Sequence, residues 1–143
     1  MQFQDPNFQQ AAEQLFARAA FPQHLGMRLT RIEPGLCGSE LTAQPWQMQQ
    51  DKFIHAGVIA TLADHTAGGA AMTLVEAGQT ILSVEYKINF LRPALGDRLR
   101  CEARVLRHGR TLIPTEAEVY EIDGTEEKMV AKAIVTLAVV TMK

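Results

Sequence analysis

The chain has 143 residues, 47% of them hydrophobic and 21% charged, with a formal net charge of −2 at pH 7. That length suits one domain, residues 1–143, burying roughly two-thirds of its unfolded surface around a single core. The slight acidic balance lacks the basic excess that a nucleic-acid surface needs, so the expected partners exclude nucleic acid.

In chain order, residues 8–20 carry Phe8, Ala11, Ala12, Leu15, Phe16 and Ala19 at the spacing of one buried helical stripe. Pro22 is expected to stop this helix. The segment 1–22 is thus expected to pack as an N-terminal helix on the rest of the chain. Residues 27–32 and 37–43 read as two short strands joined by a turn at Glu33, Pro34 and Gly35. Residues 44–54 are glutamine-rich and irregular.

Residues 55–76 then form one long run of small and apolar residues, enough for a helix of about 20 residues and roughly 30 Å. Gly78 is expected to close it. Past His55, its only ionisable residues are Asp64, His65 and Glu76. A helix apolar on every side is surrounded by protein, and a carboxylate in its middle demands partners or a function. Its length alone would span a membrane, but Asp64, His65 and the threonines make it too weakly hydrophobic, and no basic flank follows.

After the helix the period changes to two. Val84, Tyr86, Ile88 and Phe90 alternate with Ser83, Glu85, Lys87 and Asn89, and residues 98–105 alternate likewise. Residues 112–122 contain Pro114, which suggests an edge or a bulge. Residues 129–142 are apolar on both faces from Ala133 onward, as a central strand would be. These four strands are expected to form a meander. One sheet face cannot cover a helix on all sides, so a second molecule is expected to complete the cover. Cys37 and Cys101 lack metal-ligand spacing and read as reduced core thiols in a cytoplasmic protein. The first residues show no signal-peptide pattern.

His55-Ala56-Gly57 followed by Leu62-Ala63-Asp64 resembles the His-Gly-Gly…Leu-x-Asp signature of the phenylacetate-type (PaaI-like) acyl-CoA thioesterases. The run from Ser83 to Phe90, ending Leu91-Arg92-Pro93, is similar to the strand that follows the helix in that family. The resemblance implies an α+β hotdog fold, a long central helix wrapped by a curled antiparallel sheet of five to six strands. It also implies roles. Asp64, eight positions after Ala56, stands where the family has its catalytic carboxylate, acting as base on water or as nucleophile. Ala56 supplies the N–H that polarises the thioester carbonyl, Gln49 orients that carbonyl, and Ser83 helps hold the attacking water. In relatives, the residues at the positions of Gln49 and Ala56 face those at the positions of Asp64 and Ser83 across a subunit interface. The family usually has glycine where this chain has Ala56, which leaves the N–H in place and narrows the space beside it.

The N–H groups of Ala56 and Gly57 sit at a helix N-terminus, unpaired and at the positive end of its dipole, as an oxyanion donor should be. Asp64 lies roughly 12 Å along the same helix, too far to serve one carbonyl from within one subunit. His55 is expected to fix the loop rather than move protons. His65 and Asp64 point about 100° apart, so they are not a metal pair. Arg107, His108, Gly109 and Arg110 form a turn suited to contacts with coenzyme A phosphates.

The expectation is therefore an acyl-CoA thioesterase needing no cofactor or metal, present as a homo-oligomer, either a dimer or a dimer of dimers (a homotetramer), and not membrane-bound. The alternative is a non-catalytic acyl-CoA or acyl-carrier binding module on the same fold.

Overall fold

The computed structural model describes residues 5–143, so the first four residues of the expected N-terminal helical segment lie outside it. Helix α1 (Phe8–Arg18) buries Ala12 and Phe16. The chain then breaks at Ala19, which is extended at φ −80° and ψ 104°, and restarts as α2 (Ala20–Leu25). Pro22 therefore does not end a helix; it sits in the first turn of a second one. In a continuous helix its ring would meet the Arg18 carbonyl, whereas a first turn has no use for its missing N–H. Gly26, at φ +86°, closes α2.

Strands β1 (Arg28–Glu33) and β2 (Leu36–Thr42) pair antiparallel as expected. The glutamine-rich stretch is not wholly irregular. It holds a 3-10 turn, Pro45–Gln47, and a bridge between Met48 and Ile54. Gln47 is buried there and ties two elements together: Nε2 donates to the Leu25 carbonyl (3.0 Å), and its own carbonyl accepts the His55 N–H (3.0 Å).

The long helix α3 (Ala56–Met72) ends earlier than the sequence suggests. Thr73 stops it. Its hydroxyl donates to the Ala70 carbonyl (2.7 Å) and accepts the Gly35 N–H (2.8 Å), while Leu74 and Val75 are buried in an irregular connection. Gly78, at φ +84°, shapes the turn into the next strand instead.

The remaining strands are β3 (Gln79–Phe90), β4 (Arg98–Val105), β5 (Leu112–Asp123) and β6 (Glu126–Thr141). They complete a six-stranded antiparallel sheet in the order β1-β2-β4-β5-β6-β3. Only β4, β5 and β6 form a meander; β3 pairs with β6 at the far edge. Residues 91–97 are thus a crossing segment rather than a hairpin turn. The Leu91 N–H is held by the Val130 carbonyl, and the Ala94 carbonyl accepts the Ile54 N–H. Pro114 lies in the interior strand β5, opposite Thr136, and the bulge against β6 is at Val119 and Tyr120. The proline is tolerated because β4 has already ended: its carbonyl accepts the Leu106 N–H one residue past that strand.

The sheet wraps α3, and the core lies between them. Cover over the rest of the helix comes partly from the same chain. An added Cβ on Gly69 would lie 2.9 Å from Phe16 of α1, and α2 also contacts the helix. Over the C-terminal half of α3 the chain's own α1 supplies this cover. The first half of α3 remains open.

Candidate functional site

The start of α3 is built by a side-chain cap. His55 Nδ1 accepts the Gly57 N–H at 2.8 Å, satisfying one of the unpaired donors of the first turn. Two sequence expectations are refined by this bond. His55 acts here as an acceptor at the helix cap. The Gly57 N–H is occupied by this bond, where the sequence had it unpaired. The Ala56 N–H, first of the helix, has no hydrogen-bond partner among the described residues. It stands exposed at the positive end of the helix dipole.

Two turns on, Asp64 is partly exposed, and its Oδ1 accepts the Ser83 hydroxyl at 2.6 Å. The sequence alternation places Ser83 on the face opposite Tyr86 and Ile88. The structure puts it on the helix side through a register shift between Ser83 and Glu85. That extra residue turns the strand by one step, so Ile81, Ser83 and Tyr86 all approach α3. The helix residues between the two points, Ala60 and Thr61, are small and partly open. Further along the helix Gly68 and Ala71 are buried in packing.

His65 diverges from Asp64 as its helical position requires. Its ring lies 4.5 Å from that of Phe16, and Nε2 is buried without a hydrogen-bond partner. Burial lowers its pKa, opposed by the Asp64 charge and a hydrogen bond with the Leu15 backbone. Cys37 and Cys101 are free and buried. Burial pushes both thiols up, Cys101 to about 12, so neither supplies a thiolate at neutral pH.

Gln49 sits in a tight turn, its N–H on the Phe53 carbonyl (2.8 Å). Its Oε1 accepts the Asp51 N–H, which leaves Nε2 as the free donor of the amide. Gln49, His55 and Ala56 line one cavity of about 550 Å³, together with Phe90 and Arg92. A second cavity, on the other side of His55, is lined by Phe21, Trp46, Gly57, Ala60, Thr61 and Tyr86. Its aromatic wall escaped the sequence reading. The available signal was the chain's one tryptophan, Trp46, placed after a proline in a polar stretch.

The turn holding Arg107, Gly109 and Arg110 lies elsewhere. His108, Gly109 and Arg110 line a cavity of about 260 Å³ with Leu74, Glu76 and Gln79, beyond the C-terminal end of α3. Gly109 is required by close approach, since a Cβ there would lie 2.0 Å from the Leu112 carbonyl oxygen. One chain therefore holds three separate groups along a single helix: Gln49 and Ala56 at its start, Asp64 and Ser83 at its middle, and the basic turn past its end.

Residues 51–128, more than half of the chain, match the thioesterase superfamily. The proofreading thioesterase EntH of Klebsiella pneumoniae is 32% identical over 101 residues, covering 71% of this chain and 74% of its own length. The medium/long-chain acyl-CoA thioesterase YigI of Escherichia coli is 25% identical over 134 residues, with coverage of 83% and 84%. A thioesterase family protein from Silicibacter pomeroyi superposes with a TM-score of 0.91 at 34% identity, over 94% of this chain and 98% of that one. The E. coli PaaI protein from the phenylacetic acid degradation operon superposes at 0.84 with 20% identity, over 96% and 97%, a likeness of fold.

Proposed function

The chain belongs to the thioesterase superfamily and has its hotdog fold, and from that premise we propose that it hydrolyses acyl-CoA thioesters to the free acid and CoA. The observation that carries this reading is the pairing of Asp64 with Ser83 beside an open helix face, with an unpaired Ala56 N–H on the same helix. Asp64 accepts a proton from a water held between it and the Ser83 hydroxyl oxygen. The hydroxide attacks the thioester carbonyl, and the Ala56 N–H holds the resulting oxyanion. Gln49 Nε2 donates to the same oxygen. Collapse breaks the C–S bond, and the CoA sulfur leaves with the proton from Asp64. This sequence uses no metal or redox cofactor.

Ala56 and Asp64 are roughly 12 Å apart along α3, so one carbonyl meets Ala56 of one copy and Asp64 of another. Two features support a homo-oligomer. The helix stripe Ala56, Gly57, Ala60, Thr61 and Asp64 is open, and edge strand β3 is exposed from residue 82 to residue 87. The minimal unit is a dimer, and a dimer of dimers gives the homotetramer. From Asp64 the helix runs about another 12 Å to Met72, and the basic turn lies beyond it. Arg107, Gly109 and Arg110 of the copy that supplies Asp64 therefore meet the CoA phosphates. Among the described residues no helix is long and apolar enough to cross a membrane. We place the protein in the cytoplasm, where free thiols persist.

The test mixes two impaired chains. Asp64→Asn alone should lose at least about a hundred-fold in kcat while remaining folded. Gln49→Ala should also be impaired. Exchanged together, they should regain about a quarter of the wild-type sites, because each mixed two-fold dimer has one intact site. Wild-type turnover by Asp64→Asn, or an active monomer by light scattering, overturns the reading.

A further inference from the structure

Gln44, Gln47, Gln49 and Gln50 crowd the segment before α3, and Gln47 alone among them is buried, at 2% exposure. A buried amide is costly unless both its ends are hydrogen-bonded. Both ends of Gln47 are: Oε1 accepts the Gln44 N–H (2.9 Å), and Nε2 donates to the Leu25 carbonyl (3.0 Å). A flipped amide would set donor against donor and acceptor against acceptor, so the site permits one orientation. Leu25 is the last residue of α2, where a carbonyl has no partner within the helix. From Gln47 the connection runs on to the start of α3. Its backbone carbonyl accepts the His55 N–H (3.0 Å), and His55 Nδ1 accepts the Gly57 N–H (2.8 Å). That last bond makes His55 the cap and leaves the free N–H to Ala56.

We infer that Gln47 is a positioning residue for the reaction: its side chain ties the segment before α3 to the end of α2 and, through the backbone bond to His55, aims the Ala56 N–H. The inference rests on the hydrolase reading above and deepens it with a residue that touches no substrate. Gln47 is buried by its own chain, so its role does not depend on what a second copy covers. The cap of α3 is carried on a connecting segment, and a cap is only as fixed as the segment that carries it. A displacement of about 1 Å at a reacting group costs roughly a hundred-fold in rate. The bridge between Met48 and Ile54, and the Ile54 N–H on the Ala94 carbonyl, steady the same segment from its other side. Gln47 supplies the tie to α2 that these backbone bonds do not.

Gln47→Met keeps the length of the side chain and removes both of its hydrogen bonds. It should lower kcat by about ten- to a hundred-fold. KM should stay within about threefold, since an oxyanion donor acts on the transition state rather than on the bound ester. In Ala56→Pro protein, where that N–H is absent, adding Gln47→Met should cost less than about threefold. A glutamine that only stabilises the fold would cost the same factor in both backgrounds, and that result overturns the inference. So does a folded Gln47→Met protein with wild-type kcat. Amide hydrogen exchange, read without substrate, gives a second arm. In wild type the His55 and Gly57 amides should exchange at least about a hundred-fold more slowly than in an unstructured peptide. In Gln47→Met both should speed up while the amides of residues 66–71 hold. A wild-type His55 amide at the unstructured rate overturns the inference even where Gln47→Met does not fold. A wild-type protein that cleaves no ester overturns the hydrolase reading, while the exchange rates still decide whether Gln47 holds the helix start.

Discussion

The two halves of α3 both carry small residues but have opposite surroundings. From Thr66 to Ala71 every residue is buried. Gly69 is pressed against β2 and α1, so that an added Cβ would lie 2.7 Å from Cys37 Sγ and 2.9 Å from Phe16. From Ala56 to Asp64 the same kind of small residue leaves one side of the helix open, with cavities on both sides of its N-terminus. A run of alanine and glycine thus serves two ends. In the closed half it lets neighbouring elements of the same chain approach; in the open half it leaves one side of the helix uncovered by the chain's own elements. The difference comes from what precedes the helix, since α1 lies over the second half and not the first.

The largest expected effect lies in the open half. Ala56→Pro removes the one unpaired N–H at a helix position that accepts proline. It should lower kcat by about a hundred- to a thousand-fold, the usual consequence of losing one oxyanion donor. Circular dichroism should show an intact fold. Ala56→Gly, which keeps the donor, should stay active. A folded proline variant with wild-type turnover would move the oxyanion donor away from the helix start and remove the reason for distinguishing the halves.

In the closed half the same size of change should act on stability instead. Gly69→Ala places a methyl group where Cys37 and Phe16 leave no space. Overpacking of this kind costs about 1–3 kcal/mol, read as a lower denaturation midpoint. Activity per folded molecule should hold. Should Gly69→Ala match wild type in stability, the close contact between α1, β2 and α3 would not be rigid, and the contrast between halves would weaken.

The contrast itself was only half legible in the sequence. The elements were legible because their periodicity is local: β1, β2, β4 and β5 fall within a residue or two of their expected bounds. The open helix start at Ala56 and the mid-helix carboxylate of Asp64 could be located from the local pattern, whereas Gln49 was singled out by the resemblance alone. What failed depends on contacts distant in sequence. The end of α3 is set by Thr73 meeting Gly35, and the position of β3 by its pairing with β6. The register shift between Ser83 and Glu85 breaks a clean alternation, so the pattern alone could not show that Ser83 and Tyr86 both approach α3. The capture of the Gly57 N–H by His55 is a side-chain choice that spacing does not encode. Likewise Phe21, Trp46 and Tyr86 come from three separate segments and meet only in three dimensions.

The smallest effect belongs to His65, at the boundary between the halves. Its ring packs on Phe16 of α1, and burial holds its pKa below the ordinary value of 6.5. The folded state therefore favours neutral His65 more than the unfolded chain does. Above about pH 6.5 neither state is protonated there, and the associated stability is fully present. As pH falls through the folded pKa, the unfolded chain binds the proton first, and stability is lost. Denaturation midpoints at pH 7.5 and 5.5 should thus differ more for wild type than for His65→Gln. The interval stays above the range in which most carboxylates titrate. Asp64 opposes the shift by favouring the charged ring, so Asp64→Asn should enlarge the wild-type difference. Were His65→Gln to keep the full wild-type slope, the docking of α1 over the closed half would not depend on a neutral imidazole.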